Sequence, residues 1–277
     1  MTPKAVKAKL KAIQKLRALF LQETNFQIRY DATHARGWSD SYLLTLDGTD
    51  VGYASLKADD TQTRDTMFEF FVVRPFRKHA VALFKACLAA SGATQVECQS
   101  NAALLTSLLF EHTTDIRSDV ILFDDHAVTE HAIAGVVVRP RKRYDSVFEH
   151  KVEPVGDYVA TLDGEVVATG GFLLHYNMPF ADLFMEVRED RRRRGIGSYL
   201  IQEVKKACYL AGRVPAARCD FTNAGSRATL LKAGMRICGQ MLKGRVAASP
   251  AVALEAAEDA ATINRSRKLG EVHVGDG

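Results

Sequence analysis

Four consecutive arginines, residues 191–194, stand directly before a Gly-Ile-Gly turn in the stretch "REDRRRRGIGSYL" (188–200). Gly195 and Gly197 leave backbone N–H groups open to a ligand, because no Cβ stands in the way. An apolar helical pattern follows, and a helix N-terminus carries about half a positive charge. Arginine side chains add charge-assisted hydrogen bonds. This spacing predicts a site for an anion with several phosphates; a solvated turn is the alternative.

Two common nucleotide-loop patterns do not fit this turn. The dinucleotide fingerprint requires G-x-G-x-x-G, and its third glycine position is occupied here by Leu200. The phosphate-loop pattern G-x-x-x-x-G-K-[ST] does not occur in the sequence.

Periodicity predicts the elements on both sides of the turn. "ADLFMEV" (181–187) alternates as a strand, and after the turn apolar residues repeat at helical spacing. "AARCDF" (216–221) is the next predicted strand, and the next helix begins at Asn223, a residue type favoured at helix N-caps, and ends at Gly234. The helical stripe after the turn consists of Leu200, Ile201, Val204, Ala207, Cys208 and Ala211.

The chain also repeats itself. A hairpin pattern with a central Asp-Gly begins at Tyr42 and again at Tyr158, and "ACLAASGATQVEC" (86–98) matches "ACYLAGRVPAARC" (207–219) in the same order. We interpret this as two tandem copies of one domain, each running hairpin, strand, helix, strand, helix. The first copy has "RPFRKHAVALF" (74–84) at the turn, without glycine.

"VREDRRRRGIGSYL" (187–200) resembles the acetyl-CoA motif of the GCN5-related N-acetyltransferases (GNAT), V-x-P-x-[YH]-[RQ]-G-x-G-[IL]-G-S-x-L, with Arg192, Gly195 and Gly197 on its R-x-x-G-x-G core. "NAGSRATLLKAGMR" (223–236) resembles the second motif of that family. The resemblance covers about residues 150–246, and the first half only as a degenerate copy.

The resemblance implies an α/β (α+β) fold of two tandem GNAT-like domains, each a mixed, mostly antiparallel sheet flanked by helices. Residues 1–127 are expected to form a degenerate domain without the pyrophosphate loop, and residues 128–246 the catalytic N-acetyltransferase domain. The tail, 247–277, is expected to be partly disordered because it has no lasting apolar stripe.

In the resembling family, the turn holds the pyrophosphate of coenzyme A, and the preceding strand splays from its neighbour and pairs with the pantetheine arm. An amine then attacks the thioester directly in a ternary complex. The residues expected to bind acetyl-CoA are Met185, Val187, Arg192, Arg193, Arg194, Gly195, Ile196, Gly197, Ser198, Asn223 and Ser226. No metal is expected.

Deprotonating the amine requires a base or a chain of water molecules, because an amine of pKa about 10 is mostly protonated at neutral pH. Glu186 and Asp182, on one face of the same strand, are the candidates; polar residues on a half-wet strand are the alternative. His175 and Tyr176 either line the acceptor side or cap a strand end. The tyrosine that often protonates the departing thiolate in the family is replaced here by Leu230.

Composition narrows the protein class further. The 277 residues carry a net charge of +4, which permits acidic ligands without requiring nucleic acid. Five cysteines without a Cys-x-x-Cys spacing argue against a zinc knuckle or a disulfide framework, and buried packing is expected for them. The longest apolar run, 132–138, is too short for a bilayer. A soluble, cytoplasmic protein is therefore expected, with no membrane partner.

Two polar segments have simple interpretations. "KAVKAKLKAIQKLRALF" (4–20) is expected to be a helix that packs Val6, Leu10, Ile13 and Phe20 on the first domain; a membrane or nucleic-acid helix is the alternative. Residues 139–145 are expected to be a charged linker. The second copy has little room for helices before its hairpin. The first half is therefore expected to be structural and to supply one wall of the acceptor cleft.

The expected function is an acetyl-CoA-dependent N-acetyltransferase acting on a primary amine of a small molecule or peptide. A non-catalytic acyl-CoA-binding sensor is one alternative, since the usual tyrosine is missing. An RNA-associated protein is another, but few aromatic residues accompany the arginines, so nucleic acid is not expected as a partner.

Overall fold

The computed structural model describes residues 1–24, 27–28, 30–58 and 63–247. The expected disordered tail lies outside the described residues from position 248 onward. The first half contains β1 (Pro3–Ala8), α1 (Leu10–Glu23), α2 (Tyr30–Ala35), β2 (Ser39–Leu46), β3 (Thr49–Lys57), β4 (Thr66–Val72), α3 (Ala80–Ser91), β5 (Gln95–Gln99), α4 (Ala103–His112) and β6 (Thr113–Asp125). The second contains β7 (Val136–Pro140), β8 (Tyr158–Leu162), β9 (Glu165–Leu173), β10 (Phe180–Val187), α5 (Ile196–Leu210), β11 (Val214–Asp220), α6 (Ala224–Lys232) and β12 (Met235–Val246).

One mixed sheet runs through both halves of the described chain. Its twelve strands lie in the order β1-β2-β3-β4-β5-β12-β6-β11-β10-β9-β8-β7. Only β4 with β5 and β10 with β11 are parallel pairs; the other neighbours are antiparallel. Helices flank the sheet, so the predicted α/β fold class is confirmed.

The two Asp-Gly turns form as predicted. In β2–β3, Asp47 and Gly48 have φ of 47° and 83°, and in β8–β9, Asp163 and Gly164 have φ of 52° and 82°. Two consecutive positive φ values are typical of the tight turn whose twist suits a two-residue hairpin.

The halves exchange their last strands. β6 pairs with β11 of the second half, from Ala216 opposite Asp124 to Asp220 opposite Val120. β12 lies between β5 and β6, with Met241 opposite Gln99. No strand is predicted at either place by the sequence analysis. The boundary between 127 and 128 stays a prediction, but neither side of it holds a complete sheet by itself.

The amino-terminal prediction is wrong for residues 3–8, which form β1 and not the start of a helix. Val6 is exposed and lies opposite Leu43 of β2. Sheet pairing therefore overrides the helical propensity of this Ala- and Lys-rich stretch, and its lysines leave a charged edge. The helix begins at Leu10, and Ile13 and Phe20 are buried as expected.

The predicted linker at 139–145 is partly structured. Arg139 lies in β7 and donates two hydrogen bonds of 2.7 Å to the carboxylate of Asp145. No helix forms between β7 and β8 in this described stretch, whereas α1 and α2 occupy the corresponding place in the first half. The segment 141–157 is therefore a loop that lies beside the sheet.

A loop of the second half contacts the first half beside a buried ion cluster. Glu69 on β4 is fully buried, and its carboxylate accepts hydrogen bonds from Arg17, His34 and Tyr53. The pKa of Glu69 is lowered: burial acts to raise it, but His34 and Arg17 outweigh burial. Asn177, in the loop before β10, accepts a 3.0 Å hydrogen bond from the backbone N–H of Asp31. A second-half loop is thus fixed to α2.

Strand exchange predicts that the chain stays together after it is cut between the halves. A protease site inserted at Val128, which is 88% exposed, should be cleaved without loss of structure. The two fragments should co-elute in size-exclusion chromatography in buffer and separate only in denaturant, because β6 and β12 each pair across the cut. An uncut sample of the same variant is the control, and separation in buffer would contradict the exchange.

Candidate active site

Two neighbouring strands separate beside the glycine turn. β10 pairs with β11 only from Phe180 to Asp182, and beyond that point it pairs on one side only, with β9. The unpaired side faces a cavity of about 530 Å³. The splay expected near residues 185–187 is therefore present, with backbone groups free to pair with an extended ligand.

The turn presents backbone donors to one end of this cavity. Arg193 has a φ of 63° and Gly195 a φ of 81°, so two alternate residues lie in the left-handed region. The N–H groups of residues 193–198 have no acceptor within the described chain. Such a run of convergent donors at the start of α5 binds anions.

Positive side chains surround these donors. Arg192 donates from Nε to the carbonyl of Val187 at 3.1 Å, which fixes the chain direction after β10. Lys232, at the end of α6, places its Nζ 3.6 Å from the position that a Cβ on Gly195 would take. Lysine in a last helical turn is common, so the sequence carried no signal for this residue.

The predicted coenzyme-binding residues converge, with one exception. All of them except Arg194 line the cavity; Arg194 is exposed and lies outside the lining within the described residues. Gly197 is required by close packing, because a Cβ there would lie 3.1 Å from Thr229 Cγ2 and 3.3 Å from Met185 Sδ. Asn223 caps α6 as predicted: its Oδ1 accepts a 2.9 Å hydrogen bond from the N–H of Ser226.

Glu186 lines the cavity, but its carboxylate is already occupied. Its oxygens accept hydrogen bonds from the backbone N–H groups of Lys151, Val152 and Glu153, at 2.9, 3.1 and 2.9 Å. Burial acts to raise the pKa of Glu186, and the three donors outweigh burial, so the pKa lies below its ordinary value. These contacts make Glu186 an anchor for the loop 151–153. Its role as a base stays a prediction.

Asp182, the second candidate, lies at the point where the strands separate. It is buried, accepts a 3.0 Å contact from His175 Nε2 and lies 3.7 Å from Arg218 Nε. It does not belong to the described lining of the cavity. His175 thus contacts the strand carboxylate and does not merely cap a strand end.

Leu230 is buried among the second-half core residues on α6. The position therefore offers no hydroxyl to a leaving thiolate, as expected. Tyr176 is also buried, packed with Phe180 and Ala216.

The first half retains the splay without the turn. β4 pairs with β5 only at Thr66 and Met67. Phenylalanines line a cavity of about 190 Å³ there, and a 3-10 helix, Arg74–His79, replaces the glycine turn. The lining includes Phe68, Phe70 and Phe71.

The cysteines are packing residues. Burial raises the pKa of Cys87 to about 12 and of Cys98, Cys208 and Cys238 to about 11, so each thiol stays protonated at neutral pH. A search of the described residues finds no His/Cys/Asp/Glu group suited to a metal ion. In that same part of the chain no helix has both the length and the apolar character to cross a membrane.

Solved structures resemble nearly the whole chain. An acetyltransferase from the GNAT family from Colwellia psychrerythraea superposes with a TM-score of 0.66 at 10% identity, covering 89% of this chain and 100% of that chain. A tandem GNAT protein from the clavulanic acid biosynthesis pathway gives 0.54 at 13% identity, covering 89% and 99%. A GCN5-related N-acetyltransferase from Sphaerobacter thermophilus gives 0.53 at 15%, covering 88% and 95%. At these identities the likeness defines the fold: that of the acetyltransferases.

One family model matches part of the sequence. Residues 122–235 match the family described as Acetyltransferase (GNAT) family, so the chain contains a GNAT domain. The match begins within β6, the strand that the first half contributes to β11. No curated protein matches the chain with significant sequence similarity.

The contacts of Glu186 predict a pH-dependent contribution to stability. Glu186→Gln should lower the free energy of unfolding at pH 7 by about 2–3 kcal/mol, because hydrogen bonds to a charged group are lost. Since folding lowers the pKa of Glu186, its contribution is complete above the unfolded pKa of about 4.3 and is lost as the pH falls through the folded value.

Urea denaturation at pH 7 and at pH 3 measures this difference between variant and wild type. Glu189→Gln is the matched control, because Glu189 is exposed and forms a single surface contact with Lys151 Nζ. A difference that is unchanged between the two pH values would contradict the assignment.

Proposed function

We propose that the chain is an acetyl-CoA-dependent N-acetyltransferase that acetylates a primary amine by direct attack in a ternary complex. One observation carries the proposal: a single cavity joins the free donors of residues 193–198 to the unpaired edge of β10. An anionic head and an extended arm that accepts backbone hydrogen bonds fit this pair of features, and coenzyme A has both.

The pyrophosphate binds at the turn. Backbone N–H groups of residues 193–198 donate to its oxygens, with Arg193 and Lys232 supplying opposite charge. Arg192 is held back on Val187 and orients the turn. The pantetheine arm pairs with the free edge at residues 185–187, which carries the thioester toward the point where β10 and β11 meet.

Catalysis then rests on orientation and charge. Holding the amine and the thioester in one cleft makes the attack effectively unimolecular. A free N–H group of β10 that points into the splay polarises the thioester carbonyl. A carboxylate must also accept a proton from the acceptor ammonium.

The acceptor approaches along a groove that residues of both halves line. This groove, of about 510 Å³, is lined by Trp38 and Tyr30 of the first half and by Arg218 of β11. Arg218 in turn lies 3.7 Å from Asp182, at the apex of the splay. This continuity supports the expectation that the first half supplies one wall of the acceptor site.

An acyl-CoA-binding sensor is the second candidate function. The observation that favours it is the buried leucine at position 230, where many relatives of the resembling family carry the tyrosine that protonates the thiolate. Both candidates require coenzyme binding, and only the enzyme requires turnover. A panel of primary amines with labelled acetyl-CoA separates them.

Coenzyme binding should disappear in the double variant Gly195→Asp, Gly197→Asp. Carboxylates at the turn repel the pyrophosphate, and the positive φ of Gly195 disfavours a side chain. Isothermal titration calorimetry with acetyl-CoA measures the loss. Gly212→Asp is the matched control, since Gly212 has a φ of 71° and open space around it at the other end of α5. Unchanged affinity in the folded double variant would rule out the site.

A substitution in the first half tests the acceptor groove. Trp38→Ala should raise the KM for the acceptor about tenfold and leave the affinity for acetyl-CoA unchanged, because Trp38 is half exposed and lines only the groove. Phe110→Ala, an exposed aromatic residue of α4 outside the groove lining, is the control. Equal KM values for both variants would contradict a contribution of the first half to the acceptor site.

A further inference from the structure

A third carboxylate, Glu153, lines the cavity beside Glu186. It belongs to the loop 141–157 that takes the place of the helices before β8, and it lines the cavity together with Met185 and Glu186. The Glu153 carboxylate makes no hydrogen bond and no ion pair within the described residues. It is half-buried, so its free oxygens face the cavity and not bulk solvent alone.

The backbone of Glu153 is held from two sides. Its N–H donates to Glu186 Oε2 at 2.9 Å, and its carbonyl lies 3.0 Å from His150 Nδ1. His150 is itself fixed, because its Nε2 lies 3.1 Å from Thr169 Oγ1 and its ring stacks on Phe148. The position of the peptide is thus determined by β9 and β10, while its side chain stays unengaged.

The charges that face Glu153 favour its proton-accepting role. Burial is the main reason that its pKa lies above the ordinary value, and the negative charge of Asp182 adds to burial. Arg218 and His150 act in the opposite direction, and Glu186 in the same direction as Asp182. A carboxylate with a raised pKa is a stronger base than Glu186, whose pKa is lowered by three donors.

We propose that Glu153 is the general base of the acetyl transfer and that Glu186 is a positioning residue that holds it. The inference rests on the proposed function. Glu153 takes one proton from the acceptor ammonium and passes it to solvent. The neutral amine forms the N–C bond as the C–S bond breaks, and the second nitrogen proton goes to the departing thiolate through water. The products are the amide, coenzyme A and one released proton.

The test uses the full chain with the amine from the panel that the wild type acetylates fastest. Glu153→Gln should lower kcat about 100-fold, the usual share of a general base, and leave the calorimetric affinity for acetyl-CoA unchanged. The wild-type kcat should fall at low pH as a carboxyl whose pKa lies above its ordinary value gains its proton. This acidic limb should be missing in Glu153→Gln and restored in part in Glu153→Asp.

Two further variants distinguish the general base from the positioning residue. Glu186→Gln should lower kcat but keep an acidic limb, because Glu153 is still present. Glu149→Gln, an exposed carboxylate on the same loop and outside the cavity lining, should behave as wild type. A wild-type kcat in Glu153→Gln would overturn the role of Glu153 and leave the proposed acetyltransferase function standing. Coenzyme binding without turnover of any amine by the wild type would instead overturn the proposed enzyme, and the base with it.

Discussion

The cavity of this protein depends on the separation of β10 from β11 beyond Ala216. On its opposite edge, β11 pairs with β6 from Ala216 to Asp220. A strand of the first half therefore holds the part of β11 that no longer pairs with β10. β12 then closes the other side of β6 and joins it to β5. Because these ladders are continuous, the opening that receives the ligand arm is a property of both halves together.

Three carboxylates at this opening share a chemistry and differ in surroundings. Glu186 is saturated by backbone donors, Asp182 lies between His175 and Arg218, and the carboxylate of Glu153 has no partner in the described chain. The environment decides which of several acids is free to exchange a proton. β10 is rigid, and the loop that Glu186 anchors on it carries the free carboxylate of Glu153.

The sequence allowed the local elements to be predicted and left their partners open. Asp-Gly turns, the helical stripe of α5 and the cap at Asn223 depend on neighbours within a few residues, so spacing alone indicated them. β1 differs from the helix that the sequence predicts, because its pairing with β2 outweighs local propensity. The exchange of β6 and β12, the charge of Lys232 and the side chain of Glu153 arise from contacts between distant segments. The spacing of apolar residues along the sequence does not predict such contacts.

The position of β12 also determines the order in which parts of the sheet can form during synthesis. A ribosome releases the first half before residues 235–246 exist, yet those residues are the neighbours that β5 needs. Until they emerge, β5 and β6 expose hydrogen-bonding edges along an apolar core, a condition that invites pairing with other chains. The amino-terminal half therefore keeps the edges of β5 and β6 unpaired until β12 has been synthesised.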